Sequence, residues 1–393
     1  MLTIDCPVLD LDPWTDENLL NPYPGWAAMR EAGPVVYLSK YDIYVLPRYA
    51  PVRTALSNWE DFSSARGALL TEEMNQATAG MTLHTDPPEH QQLRGVLRRP
   101  LTHDGIETLD DDLRSEAETL VERLVHRGTF EGVGELAERL PMAVVSRQVG
   151  LPEEGRANML AWSDATGDTG GPMNGRFHAA LPMIQEALTY SYDPELPAKL
   201  KIGGWAQRLW VAADDGELPL TKCPTMLMDY WGPALGTTVA GISWTVWQFS
   251  RHPEQWQQIR DNPALLPNAI LESVRLESPL AHLSRMTTRD VTIEGITIPA
   301  RSRVLMMFGS ANRDERKWTE PERFDIHRRT IGHMGFGFGE HTCIGQSLAR
   351  LQMKLLFEAL LKRVTRFEVT DFAPAINNML HGVERMTVTV HTD

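Results

Sequence analysis

The fold predicted from this chain is mainly α-helical with small β-sheets, and three observations predict it. Long stretches repeat apolar residues every three or four positions. Strand-like alternating runs are few and gather near the start and the end. Of the 393 residues, 42% are apolar, ample for one large core. Length alone allows two or three domains, yet no Pro/Gly/Ser-rich linker, charge block or repeat divides the sequence, so residues 1–393 are expected to form a single domain. A net charge of −14 argues against nucleic acid as a partner.

Taken in order, the elements justify that reading. Residues 1–14 are acidic and broken by Pro7 and Pro13, with neither a basic leader nor an apolar run. No segment reaches ~18 consecutive apolar residues, so no membrane span is expected. Three cysteines, Cys6, Cys223 and Cys343, without a secretion signal fit a reducing cytoplasm. In Asp86-Pro87-Pro88-Glu89-His90-Gln91-Gln92-Leu93-Arg94 the prolines open a helix and set His90 and Arg94 one turn apart on one face. Residues 106–125 repeat Leu109, Leu113, Ala117, Leu120 and Leu124 and stop at Gly128.

A long helix is expected over about 220–251. Within it Pro233 lacks an N–H, so with Gly232 and Gly236 it should distort the helix and free carbonyls for water. Residues 268–277 form a helical run that puts Glu272 and Arg275 on one face. The last helix, 346–364, places Leu348, Leu351, Leu355, Ala359 and Leu360 at helical spacing with no internal Gly or Pro.

Just before that helix stands the most informative stretch, Phe336-Gly337-Phe338-Gly339-Glu340-His341-Thr342-Cys343-Ile344-Gly345. A metal-bound thiolate in an apolar setting needs backbone N–H donors aimed at sulfur, and a loop freed by Gly337, Gly339 and Gly345 can aim them. The partial positive charge of the helix N-terminus also favours the deprotonated sulfur. A lone cysteine is more often a small buried hydrophobe, and a glycine run can cradle phosphate. Here, though, the glycines alternate, the P-loop Lys-Ser/Thr pair is missing, and no Cys-x-x-Cys-His run for covalent haem is present. The ten residues match the cysteine-loop signature of the cytochrome P450 family at every defining position, and the chain resembles its bacterial members.

The resemblance implies a single-domain cytochrome P450 fold. Haem b would sit between the long oxygen-side helix and the cysteine-loop helix, its iron ligated axially by Cys343, with Phe336 and Gly345 beside the ring. Ala311-Asn312-Arg313-Asp314 and Pro321-Glu322-Arg323-Phe324-Asp325 look like the family's segment before the cysteine loop, with Arg323 as third partner of Glu272 and Arg275. His90, Arg94, Arg285 and His341 are similar to the family's clamp on the haem propionates.

On the oxygen side, alignment on Thr237 and Thr238 leaves Gly236 where an acid usually precedes the oxygen-contacting threonine. Ordered water held by Thr237 and freed helix carbonyls would then replace the acid relay, and hydrogen peroxide would drive turnover unusually well. Asp229, close to two turns before Gly236 along a continuous helix, is expected to be too far away to substitute.

The resemblance also implies molecular oxygen as co-substrate and electrons from a ferredoxin or flavodoxin with its reductase. Arg94, Arg98, Arg99, Arg350 and Lys354 are expected to form a basic dock for such an acidic carrier.

Tracts such as Asp10-Leu11-Asp12-Pro13-Trp14, Asn21-Pro22-Tyr23-Pro24 and Ser64-Ala65-Arg66-Gly67 resemble members that O-demethylate para-methoxybenzoates. Those relatives grip a carboxylate with an arginine shortly before the Asp-Pro-Pro turn, whereas residues 75–83 here contain no cation. The expected substrate is therefore a small neutral methoxylated aromatic, a lignin-derived methoxyphenol such as guaiacol or syringol, demethylated with release of formaldehyde. By resemblance its pocket draws on Leu69, Met81, Leu83, Ala234, Leu283 and Leu380 and on residues 166–183. The alternatives are a para-methoxybenzoate demethylase, a peroxide-driven peroxygenase and, in a different class, a non-catalytic haem sensor or ligand carrier.

Overall fold

Apolar spacing builds the helices much as expected in the computed structural model, which describes residues 5–392. The Asp110–Arg127 helix buries Leu113, Ala117, Leu120, Val121 and Leu124, carries three aspartates in its first turn, and ends at Gly128 with φ 79°. Gln346–Leu361 buries Leu348, Leu355, Ala359 and Leu360 against the Asp110–Arg127 and Leu266–Glu277 helices. A large apolar core joins these helices to Gly236–Arg251, with Trp256, Phe249 and Phe357 fully buried in it.

The strands depart from expectation. A six-stranded mixed sheet runs in the order Val8–Leu9, Val36–Leu38, Ile43–Leu46, Arg303–Met307, His282–Thr287, Phe62–Ser63. Two of its members therefore come from the later half of the chain, outside the two ends where strands were expected, and Tyr44 pairs with Val304 in parallel. A three-stranded sheet joins Arg366–Pro374, Val383–His391 and Thr129–Glu131. Among the described residues no helix is long and apolar enough to cross a membrane.

The stretch expected to be one long helix is broken. A turn of 3-10 helix at Leu220–Lys222 leads into Cys223–Asp229, the chain turns through 230–235, and a second helix runs Gly236–Arg251. Pro233 supplies no donor, so the ladder stops after Gly232 N–H reaches the Met228 carbonyl at 2.9 Å and resumes where Val239 N–H reaches Leu235. The carbonyls so released are capped by hydroxyls. Ser163 donates to Gly232 at 2.7 Å, Thr237 to Pro233 at 2.9 Å and Thr238 to Ala234 at 3.2 Å. Side chains thus take much of the acceptor capacity that water was expected to use.

Beneath the cysteine loop, Glu272 and Arg275 pair bidentately at 2.7 and 2.9 Å with both side chains fully buried. The third cation is Arg328, whose Nε reaches Glu272 at 2.8 Å. Arg323 was expected in that role, but its side chain is 62% exposed and pairs with Glu320, while its carbonyl accepts from Arg328. The turn after Phe324 carries residue 328, not 323, back over the helix, so the correction follows from the path of the backbone. Arg275 also donates to the Asn312 carbonyl, and the Asn312 side chain accepts from Met334 N–H at 2.6 Å, which ties this network to the start of the loop.

Candidate active site

Glycine geometry shapes the cysteine loop. Gly337 and Gly339 hold φ of 67° and 72°, and a Cβ on Gly339 would overlap the Leu56 carbonyl oxygen. Gly345 differs from expectation. Its φ is −86°, open to any residue, and a Cβ there would meet no protein atom within 4 Å. Its lack of a side chain answers no need within the protein, yet it lines the cavity. Cys343 is held by its own N–H to the Phe336 carbonyl at 2.8 Å. Burial pushes its thiol up, against backbone N–H groups of Gly345 and Gln346 and the charge of Arg94, which favour the thiolate. A bond to a metal cation would favour the ionised sulfur further.

The cavity lies between the two helices that the sequence nominated. Phe336, Cys343, Gly345 and Leu348 form one wall, and Ala234, Thr237, Thr238 and Gly241 form the other. At its edge gather the four expected clamp residues. His90 and His341 face each other with ring centroids 4.2 Å apart. Both ring nitrogens of His90 and Nε2 of His341 are buried without a hydrogen-bond partner. Arg285 is 3% exposed and its guanidinium donates to the Ser284 carbonyl; Arg94 donates to the Thr342 carbonyl.

Burial depresses all four groups, and cationic neighbours depress His90, Arg94 and His341 further. Arg285 falls to about 10 and His90 to about 4, each first through desolvation. A buried donor cluster of this kind is short of anionic acceptors. Two peripheral carboxylates would satisfy it, and a sulfur ligand stands in the same cavity, so these residues fit haem. His84 joins the cluster and was missed by sequence reasoning: it is 6% exposed, its Nδ1 has no partner, and Arg285 helps to depress it to about 3. A histidine two residues before an Asp-Pro-Pro turn carries no periodic signal, so only the fold reveals it.

A second cavity adjoins the first. It shares Leu83, Asp229, Pro233, Thr237, Leu280 and Leu283 with it. Leu69, Met81, Leu83, Leu283 and Leu380 line it together and Ala234 lines the first cavity, so each of the six expected pocket residues lines one cavity or the other, Leu83 and Leu283 both. Thr166 and Gly167 come from the expected 166–183 region. Among the described residues no Arg or Lys lines this second cavity. His282 is occupied elsewhere, between Trp14 Nε1 and the Asn378 carbonyl.

Two carboxylates alter the oxygen-side picture. Asp229 lines both cavities, and its Oδ2 accepts Thr82 N–H at 2.8 Å. The two-turn separation assumed for it holds only along a continuous helix, and the helix is broken between it and Thr237. Asp164, on the Glu153–Thr169 helix, places Oδ1 3.5 Å from where a Cβ of residue 236 would stand. Burial, with Glu138 and Asp168 nearby, raises it to about 6. A carboxylate thus stands close to Gly236, where Leu380 Cδ1, 2.9 Å from the same point, already crowds the position of a Cβ. Of the expected basic dock, Arg98 and Arg350 are exposed, whereas Arg99 pairs with Glu217, Lys354 pairs with Glu358, and Arg94 points into the cavity.

Comparison with known proteins gives the same pattern. The family model described as Cytochrome P450 matches residues 213–380. Cytochrome p450 CYP199A2 of Rhodopseudomonas palustris is 35% identical over 97% of this chain and 94% of its own length. The structure of cytochrome P450 CYP109Q5 from Chondromyces apiculatus superposes with a TM-score of 0.83 at 28% identity, covering 98% of both chains. Cytochrome P450 CREJ, solved in complex with (4-ethylphenyl) dihydrogen phosphate, gives a TM-score of 0.85 at 25% identity over 97% of this chain and 99% of its own.

Proposed function

The chain belongs to the cytochrome P450 family, a monooxygenase carrying haem b on a cysteine thiolate, and on that premise we propose that it O-demethylates a small neutral methoxylated aromatic, a methoxyphenol such as guaiacol or syringol. One observation carries the substrate reading. The apolar second cavity opens onto the haem cavity at Thr237 and Leu283, and among the described residues it has no Arg or Lys to balance a ring carboxylate. That CREJ was solved with a para-substituted phenyl ligand supports an aromatic ring in this fold.

Haem b, when bound, supplies an iron at which molecular oxygen and electrons yield an oxidant able to attack C–H bonds. Cys343 would hold that iron, and His90, Arg94, Arg285 and His341 would take the haem carboxylates, using the donors that the protein leaves unspent. Leu69, Met81, Leu83, Ala234, Leu283 and Leu380 would fix the ring by shape, because position decides which C–H is attacked. Hydroxylation of the methoxy carbon gives a hemiacetal that collapses to a phenol and formaldehyde. Electrons would come from a ferredoxin or flavodoxin with its reductase.

Proton delivery falls to this chain's own residues. Thr237 donates its hydroxyl proton to the Pro233 carbonyl, so its lone pairs are turned to accept from a water in the cavity. Asp164, whose Oδ1 lies 3.5 Å from where a Cβ of residue 236 would stand, would replace the absent acid as the carboxyl that hands protons inward. The absence of a carboxylate at 236 itself favours a second reading, turnover driven by hydrogen peroxide. Incubating the purified protein with 2-methoxyphenol, NADH, ferredoxin and reductase and assaying formaldehyde tests the first reading. Product with peroxide alone, and none stimulated by NADH, would select the second.

A further inference from the structure

Asp229 is the one carboxylate among the described residues lining either cavity, and it sits where the two meet. Its surroundings are largely apolar, with Met81, Leu83, Met228 and Leu283 on the same walls. The Thr82 N–H fixes Oδ2 at 2.8 Å and uses one of about four acceptor positions of a carboxylate. Acceptor capacity left in an apolar cavity is costly unless a ligand donates to it. No mechanistic role described above uses this group.

We infer that Asp229 is the polar anchor of the substrate cavity, accepting a hydrogen bond from a ring hydroxyl of the aromatic substrate and excluding ring carboxylates. The assignment rests on the methoxyarene reading and sharpens it, since it requires a free phenol beside the methoxy group. A phenol O–H donating to a carboxylate makes a charge-assisted bond in a site sheltered from water. An aryl ether in place of the phenol offers no donor and leaves the carboxylate unpaired. Where Asp229 is ionised, a benzoate would set two anions against each other in a cavity whose described lining holds no Arg or Lys. Burial raises Asp229 to about 7, opposed by the hydrogen bond from Thr82 N–H and by the charge of Arg94.

The test is equilibrium binding to the haem-loaded protein, read by calorimetry and by the substrate-induced shift of the haem spectrum. The ligands are 2-methoxyphenol, 1,2-dimethoxybenzene and 4-methoxybenzoate, and the proteins are wild type, Asp229→Asn and Asp229→Leu. The expected result is a Kd for 2-methoxyphenol raised roughly tenfold in Asp229→Asn and up to about a hundredfold in Asp229→Leu, with 1,2-dimethoxybenzene unchanged or tighter. The benzoate should gain affinity in both variants. An unaltered carbon-monoxide spectrum of the reduced variants confirms that the haem site is intact.

Equal losses for the phenol and its dimethyl ether, no loss for either, or no phenol binding by wild type would each overturn the assignment. Failure of the two readings is separable. Formaldehyde from wild type with unchanged selectivity in the variants sinks the Asp229 role alone. Asp229-dependent phenol binding without formaldehyde keeps the anchor and sinks demethylation.

Discussion

Beneath the cysteine loop the buried charges are satisfied from within: Glu272 accepts from Arg275 and Arg328, and Arg275 spends its remaining donors on the Asn312 and Pro321 carbonyls. Around the cavity the pattern reverses: ring nitrogens of His90 and His341 have no partner, Arg285 donates to the Ser284 carbonyl alone, and Asp229 accepts from Thr82 N–H, with open space beside them. Desolvation acts on both regions alike. The difference lies in who supplies the partner, the backbone in one and a ligand in the other. Internally closed charges hold a shape, and open ones specify what enters.

That contrast can be broken experimentally, beginning where the effect should be greatest. Cys343→Ser should abolish the thiolate-type Soret band of the reduced carbon-monoxide complex and all NADH-driven formaldehyde release. A retained band would remove the basis of the site. Glu272→Ala strands Arg275 and Arg328 as buried unpaired cations and should cost about 3–5 kcal/mol, read from chemical unfolding, with loss of haem retention.

Across the cavity, Asp229 offers a pH test. Its carboxyl is raised from the ordinary 3.8 to about 7, so the folded state holds a proton that the unfolded chain releases in that interval. Stability therefore falls as pH rises from about 4 to about 7, by roughly 2–4 kcal/mol relative to Asp229→Asn, which has no such group. Parallel stability curves for the two proteins would contradict an ionisable group closed off from water there.

Smaller effects should fall on proton handling. Thr237→Ala and Asp164→Asn are each expected to lower formaldehyde formed per NADH consumed by about two- to tenfold, with peroxide released instead. Coupling unchanged in Asp164→Asn would return the relay to water alone. Least of all, Arg323→Ala should stay within about 0.5 kcal/mol of wild type, since its side chain is largely exposed, while Arg328→Ala should resemble the Glu272 variant.

What could be read from sequence was what depends on near neighbours. Gly337 and Gly339 of the cysteine loop, the helix bearing His90 and Arg94, and the disruption by Pro233 follow from backbone rules that act within a few residues. Arg323 was misassigned because a pattern of five residues cannot say which arginine a turn brings back to Glu272. Asp229 and Asp164 escaped for a related reason. Counting along a continuous helix hid the first behind a break, and the second reaches Gly236 from another helix altogether. Arg303–Met307 is a short apolar run in which strand and helix look alike, and His282–Thr287, apolar only at Leu283 and Met286, shows itself as a strand when it pairs across the sheet.

The Ser163 hydroxyl donates to the Gly232 carbonyl and accepts from Gly236 N–H at 3.3 Å, stitching both stumps of the interrupted helix to a neighbour. That neighbour continues to Thr169, where Asp168 is fastened to Asn378 and through it to Asn174 and Arg176. The helix that lends Thr166 and Gly167 to the second cavity is thus tied at one end to the break beside Thr237 and at the other to the Asn378 segment.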